Sequence, residues 1–419
     1  MDYNVDSELL MRVTARIEAA RDEMIELQRG LCAHPALGPS SGGTGEMAKA
    51  TWLMECLSGW GFPEPAYYPA PSDEVPEGER PNYIVRLPGQ SHDRTIWVLT
   101  HLDVVPPGEK SLWSSDPWTL RVEDGRLYGR GVEDNQQGMV SGIFAFRALL
   151  EEGITPPYDV ALAFVADEET GSHFGARYLM EHHRDLFGPD DVLLIPDAGD
   201  EEGTMIEVAE KSIGWFQFTV HGRQTHGSTP DHGVNAHKAG AHLIVLLEQL
   251  YEDFPARDDL FDPPVSTFEP TMKKANVENI NTIPGEDVFA FDCRVMPVYS
   301  LDDVRARIEI YAGEVEQTFG VTIEIETPSW QPAAPPTSPD APVVDALSRA
   351  VKHTYGVDAR PMGIGGGTVA SFFRKAGIPA AVWSRMDDQA HMPDEYCVID
   401  YMVGDAAVIA HLFLEKSEI

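Results

Sequence analysis

Cysteine is scarce in this chain of 419 residues, with only Cys32, Cys56, Cys293 and Cys397, far apart and without a C-x-x-C pair. That spacing excludes a disulfide framework and a thiolate zinc site, and the four read as core residues. Positive charge is scarce too: 31 Lys and Arg face 68 Asp and Glu, for a formal net charge of -37. A phosphate backbone would be repelled over most of such a surface, so nucleic acid is not an expected partner. Only nine of the 31 cations are lysines, a balance that suits high salt. No apolar run approaches the length of a bilayer span, and the acidic N-terminus lacks a basic segment followed by an apolar one. No membrane association is expected, and the cytoplasm is the expected location. Internal repeats are absent as well.

What the chain does have is alternation. Its length argues for two domains. An amphipathic helix is expected from Ser7 to about Leu31, a second from Gly45 to Trp60, and a strand at Tyr83 to Leu87. Ile96 to Thr100, Val160 to Ala166 and Val192 to Pro196 read as buried strands, with helices at Gln137 to Glu152 and His173 to His183. Strand and helix alternating in this way predict an α/β fold with a mostly parallel sheet flanked by helices. The pattern changes near Lys211. Strands at Trp215 to His221, Asn276 to Asn281, Val288 to Val295 and Val321 to Glu326, with helices at Asn235 to Tyr251 and Asp302 to Phe319, give the order β-α-β-β-α-β of a ferredoxin-like α+β module. The expected division is therefore 1-210, an insert at 211-328, and a return to the larger domain at 329-419.

The chemistry is expected at strand ends, where open α/β sheets place it. Phe164 to Ala166 leads into Asp167-Glu168-Glu169, and adjacent carboxylates repel, so a site that keeps both gives them different tasks, such as metal ligand and proton carrier. Taken singly, that pair is a solvated acidic turn, and Asp197 after Val192 to Pro196 an ordinary cap. His101 and Asp103 lie two apart on one side of a strand end, so the carboxylate can accept the second ring N–H of a metal-bound imidazole. As a set, His101, Asp134, Glu169, Asp197 and His391 supply two imidazoles and three carboxylates, which suits two zinc-like ions sharing one bridging carboxylate.

The motifs Thr100-His101-Leu102-Asp103-Val104-Val105-Pro106, Gly129-Arg130-Gly131-x-x-Asp134, Asp167-Glu168-Glu169, Asp197 and Ala390-His391-x-x-x-Glu395-Tyr396 resemble a known group in order and separation. It is the dinuclear-zinc family of carboxypeptidases, aminoacylases, acetylornithine deacetylases and succinyl-diaminopimelate desuccinylases. The resemblance implies a zinc-exopeptidase-like catalytic domain with an inserted lid and dimerisation domain, and a homodimer formed through that lid. It implies that Asp134 bridges two zinc ions, with cobalt or manganese as substitutes, that His101 and Asp197 complete one site, and that Glu169 and His391 complete the other. Glu168 is then the general base, and the peptide after Asp134 is allowed to be cis. His226, in Thr225-His226-Gly227-Ser228, matches a lid histidine that serves the oxyanion. Asn281 and Arg294, the latter in Asp292-x-Arg294, match positions that hold a substrate carboxylate, and Gly366, Gly367 and Thr368 match a loop whose N–H groups meet the substrate. The residue after Thr368 is Val369, where the family commonly has an acid. Aspartate at 197 tilts the expected activity to carboxypeptidase or dipeptidase, with desuccinylation or deacylation of an N-acyl amino acid as the alternative. A non-catalytic binding protein is the remote third.

Overall fold

The computed structural model describes residues 5–416. The chain forms two compact units: residues 5–208, 336–362 and 372–416 make the first, and residues 209–335 with 363–371 the second. No helix among the described residues is long and apolar enough to cross a membrane.

The first unit is built on a mixed sheet whose middle strands, Tyr158–Val165, Ser91–His101, Val192–Asp200 and Ala380–Arg385, run parallel. Tyr83–Leu87 adds antiparallel to Tyr158–Val165. The parallel strands are continuous apolar runs such as Val160 to Val165, all buried, because helices flank the sheet. Helix Gln136–Glu151 lies directly against it. Small residues face the sheet there: a Cβ at Gly138 would sit 2.3 Å from the Pro196 carbonyl oxygen, and one at Gly142 would sit 3.1 Å from Val98 Cγ1. That close approach sets the start of the helix, and hence Asp134 and Asn135, beside the ends of two strands.

Three expectations need correction here. The N-terminal helix is two, Ser7–Ala19 and Arg21–Ala33, broken at Ala20 where ψ is 7°. Strand Val192–Asp200 runs past Pro196, so Asp197 is not at its end; it sits where the register against Ala380–Arg385 slips, between the pairs Val382↔Ile195 and Ser384↔Gly199. Met205–Glu210 is a further strand, antiparallel to Ala380–Arg385.

In the second unit four antiparallel strands lie in the order Thr267–Lys273, Glu286–Val295, Ser212–His221, Thr322–Gln331. Helices Ala236–Leu246 and Leu301–Phe319 cover one face, burying Phe216, Phe218, Val220, Phe289 and Phe291 against Leu243, Val304 and Ile308. This is the ferredoxin-like order, with one strand misplaced by sequence. Thr267–Lys273 takes the edge position expected of Asn276 to Asn281, which form only a turn leading to the two-residue strand Thr282–Ile283. The glycine-rich loop, expected with the larger domain, groups with this unit instead. Its ties explain why: the N–H of Lys211 donates to the Ile364 carbonyl at 3.0 Å, and Phe261 bridges Gly363.

Candidate metal centre

Four places in the first unit bring the acids and imidazoles together. His101 ends its strand, Asp197 lies where the neighbouring strand Val192–Asp200 slips in register against Ala380–Arg385, Asp134 precedes helix Gln136–Glu151, and Glu168–Thr170 forms a short 3-10 turn after Tyr158–Val165. The peptide Asp134–Asn135 is cis. Asn135 links two of these places, since its Oδ1 accepts from the His101 N–H at 3.3 Å and its Nδ2 donates to the Pro196 carbonyl at 3.4 Å.

Asp134 stands between the two imidazoles. Its Oδ1 is 3.0 Å from His101 Nε2 and its Oδ2 is 3.1 Å from His391 Nε2. His391 Nε2 is also 3.0 Å from Glu169 Oε2, and His101 Nε2 is 3.4 Å from Asp197 Oδ1. Two groups therefore share Asp134: His101, Asp134 and Asp197 in one, and Asp134, Glu169 and His391 in the other. Ligand atoms around a tetrahedral zinc, bound at about 2.0–2.1 Å, stand roughly 3.3 Å apart. The spacings fit such a shell. Asp197 Oδ1 supplies a second test, because it is buried without a hydrogen-bond partner, and an orphaned carboxylate oxygen is satisfied by a cation.

Asp103 does something other than expected. His101 Nδ1 points at the backbone carbonyl of Asp103 at 3.0 Å, while the Asp103 carboxylate is 3.5 Å away. The carboxylate is used elsewhere: Oδ1 accepts the Glu168 N–H and Oδ2 the Glu169 N–H, both at 3.0 Å. One residue thus orients an imidazole with its backbone and the acidic turn with its side chain. Burial alone would raise the Asp103 pKa, yet His101 and the two N–H groups hold it below the ordinary carboxylate range.

The electrostatics follow from crowding. Burial and then the charges of Asp197, Glu169 and Asp134 raise Glu168 well above the usual range, against the pull of His101. Burial would lower His101, but Asp197, Asp103 and Asp134 together raise it well above an ordinary histidine. Hydrogen bonds to Asp134 and Glu169 push the half-exposed His391 up to about 10.

Sequence reasoning left out a lower layer of acids. Glu46, buried, pairs with Arg80 and accepts the Asp167 N–H at 3.2 Å. Asp167 has φ 63°, a left-handed conformation costing about 1–2 kcal/mol, held by its bonds to Thr170 Oγ1 and the Phe174 N–H. Glu133 accepts the N–H groups of Asp387 and Gln389 from the loop that carries His391, and burial pushes its pKa up to about 8. Glu395 accepts from Arg130 and from the backbone of the Asp134 turn. It stands in the quoted motif His391-x-x-x-Glu395, so a signal for it was present; Glu46 and Arg80 have none.

The remaining site residues lie in the second unit and form two clusters. His226 pairs with Thr282 across two short strands, and its Nε2 is 3.5 Å from Asn281 Nδ2. Its Nδ1 is 3.2 Å from the Ser228 backbone nitrogen and 2.8 Å from Ser228 Oγ. Arg294 forks onto Asp292, Nε to Oδ1 at 2.6 Å and Nη2 to Oδ2 at 2.9 Å, and Nη1 donates to the Gly365 carbonyl at 2.8 Å. Three of its five N–H groups are engaged. Thr368 donates its N–H at 2.9 Å and its hydroxyl at 2.5 Å to Glu210 Oε1, so that N–H is turned inward, and Val369 is buried.

A sequence profile of peptidase family M20/M25/M40 matches residues 97–415. An uncharacterized metallohydrolase of Methanococcus maripaludis is 37% identical over 410 residues, covering 92% of this chain and 97% of its own length. The succinyl-diaminopimelate desuccinylase of Wolinella succinogenes is 30% identical over 303 residues, 71% of this chain and 78% of its own. Among solved structures, human carnosine dipeptidase 1 superposes with a TM-score of 0.76 over 97% of this chain and 98% of its own, at 16% identity, a likeness of fold.

Proposed function

The chain belongs to peptidase family M20/M25/M40 and is a metal-dependent hydrolase, and from that premise we propose that it cleaves the amide bond of a dipeptide or other small peptide bearing a free carboxylate. The observation that carries the reading is the Asp134 carboxylate held between His101 and His391, with Glu168 on the adjoining turn. His101, Asp134 and Asp197 would hold one zinc ion, and Asp134, Glu169 and His391 a second, with cobalt or manganese able to replace them. Two divalent cations there would supply Lewis acidity, polarising the amide carbonyl and acidifying a water.

The protein's own part is positioning and proton transfer. Glu168 takes the proton of the attacking water and delivers it to the departing amine nitrogen, so that no charged amide anion leaves. Asp103, through the N–H groups of Glu168 and Glu169, holds that base in place. His226 donates its Nε2–H to the carbonyl oxygen as charge develops, with Asn281 beside it. The two N–H groups of Arg294 left over from Asp292 and Gly365 grip the substrate carboxylate, and the N–H groups of Gly366 and Gly367 assist. Thr368 supports that loop from below through Glu210. A homodimer through the second unit is part of the proposal.

A second reading, removal of the acyl group from an N-succinyl or other N-acyl amino acid, is favoured by the desuccinylase relative at 30% identity. The deciding experiment is elemental analysis of the purified protein joined to a hydrolysis screen of dipeptides and N-succinyl, N-acetyl and N-formyl amino acids. Two ions per chain with chelator-sensitive dipeptide turnover is expected. Turnover confined to N-acyl substrates would move the assignment to the second reading, and neither metal nor turnover would overturn both.

A further inference from the structure

We propose that Glu395 is a positioning residue that ties both halves of the metal centre to one buried charge. It acts on Asp134 through the backbone and on His391 through Arg130, and the inference rests on the reading of those two residues as ligands. Glu395 is fully buried, and four donors converge on its carboxylate. Oε2 accepts Arg130 Nη1 at 2.5 Å and the Gly131 N–H at 3.0 Å; Oε1 accepts the N–H groups of Glu133 at 3.0 Å and Asp134 at 3.2 Å. A carboxylate has about four lone-pair sites, so Glu395 is saturated and has nothing left to offer a metal. Its own backbone is pinned as well, the carbonyl accepting the Gly129 N–H at 3.0 Å.

The second link runs through the arginine. Arg130 Nη2 donates to the His391 carbonyl at 3.3 Å, and His391 is held at φ 65°, a left-handed conformation uncommon outside glycine. The guanidinium thus touches the carboxylate that gathers the Asp134 turn and the strained backbone that presents the other imidazole. Orienting contacts of this kind govern the affinity of the ligands they hold. A glutamine at 395 cannot replace the acid: whichever way its amide turns, an NH2 group faces two donors.

The alternative is that the Glu395–Arg130 pair only stabilises the fold. Glu207 and Arg374 form a matched buried pair in the same unit, outside the ligand set, with Nη1 to Oε1 at 2.7 Å. Full-length wild type, Glu395→Gln, Glu207→Gln and Arg130→Lys would be stripped with chelator and titrated with cobalt(II), read by its visible absorption and by calorimetry, with thermal unfolding alongside. Two equivalents are expected for wild type, and for Glu395→Gln both weakened by about 10–100-fold. Glu207→Gln should unfold at lower temperature but keep wild-type cobalt affinity. Arg130→Lys keeps a cation on Glu395 but has no second arm for His391, so one equivalent should weaken and the other hold. Glu395→Gln with both equivalents at wild-type affinity overturns the proposal. If that variant fails to fold, Arg130→Lys decides it, since both equivalents unchanged or both equally weakened also overturns it. Wild type binding no cobalt would instead refute the ligand reading itself.

Discussion

Glu168→Gln is expected to move activity and stability in opposite directions. The side chain keeps its size and position but loses its charge and its capacity as a base. Loss of a general base costs about 10²–10⁴-fold in rate, equivalent to roughly 2.7–5.4 kcal/mol at the transition state. Stability runs the other way. Burial, Asp197, Glu169 and Asp134 raise the pKa of Glu168 well above that of a free glutamate. The folded chain therefore binds a proton there that the unfolded chain releases, and without metal the fold loses stability as pH rises above the free-glutamate value. Glutamine removes that penalty, so at pH 8 with chelator the variant should melt at a higher temperature than wild type. Divalent cations held by Asp134, Glu169 and Asp197 would offset the same repulsion, so the gain should shrink on adding zinc. Thermal unfolding with and without zinc, beside single-turnover hydrolysis, reads all three quantities. A lower melting temperature in chelator, or undiminished turnover, would refute the reasoning.

Other outcomes follow from the same geometry. Asp103→Asn leaves one of the Glu168 and Glu169 N–H groups facing an amide NH2, a cost of about 1–3 kcal/mol; kcat should fall more than KM rises, since the base and not the substrate grip is displaced. His411 is buried and its pKa is lowered to about 4 by burial first and then by His353 and Arg349. Its contribution is complete above pH 6.5 and is lost as pH falls toward 4, about 3 kcal/mol in all; chemical denaturation across that window should show a slope that His411→Leu flattens. With a formal charge of -37, self-repulsion should weaken as salt shortens the screening length from about 10 Å at 0.1 M to about 3 Å at 1 M. Melting temperature should rise with sodium chloride, and a flat response would count against a charge-limited fold.

The sequence was most legible where one residue does its work through its own neighbours. The parallel strands were readable because burial on both faces makes them unbroken apolar runs, and His101 and Glu169 because they follow such runs directly. Strand Thr267–Lys273 escaped because it is an edge: only Phe268 is buried, and Glu269, Pro270 and Thr271 are exposed. The break at Ala20 escaped because the apolar spacing continues across it. The continuation of the strand past Pro196 escaped because a slip in strand register has no local signature. Asp103 meets His101 at 3.0 Å through its backbone carbonyl, not through the carboxylate that the spacing suggests. Spacing of two places a side chain on the right face, and it cannot show that N–H groups more than sixty residues away will claim the carboxylate.

An acidic chain hides its site among acids, and what separates the two kinds here is the donor each one meets. Glu46, Asp103, Glu133 and Glu395 are answered by backbone N–H groups or arginine, all contributed by the protein. Asp134, Glu169 and Asp197 are answered only in part, by imidazoles they share, and Asp197 Oδ1, 3.4 Å from His101 Nε2, makes no hydrogen bond among the described residues. The lower acids accept N–H groups from the very turns that carry the upper ones, so they set backbone positions while contributing no ligand. Composition counts both kinds alike, and motif spacing reaches Asp103 and Glu395 but not Glu46. The lower layer becomes visible when each buried carboxylate is asked which donors satisfy it, and those left unsatisfied mark where a cation belongs.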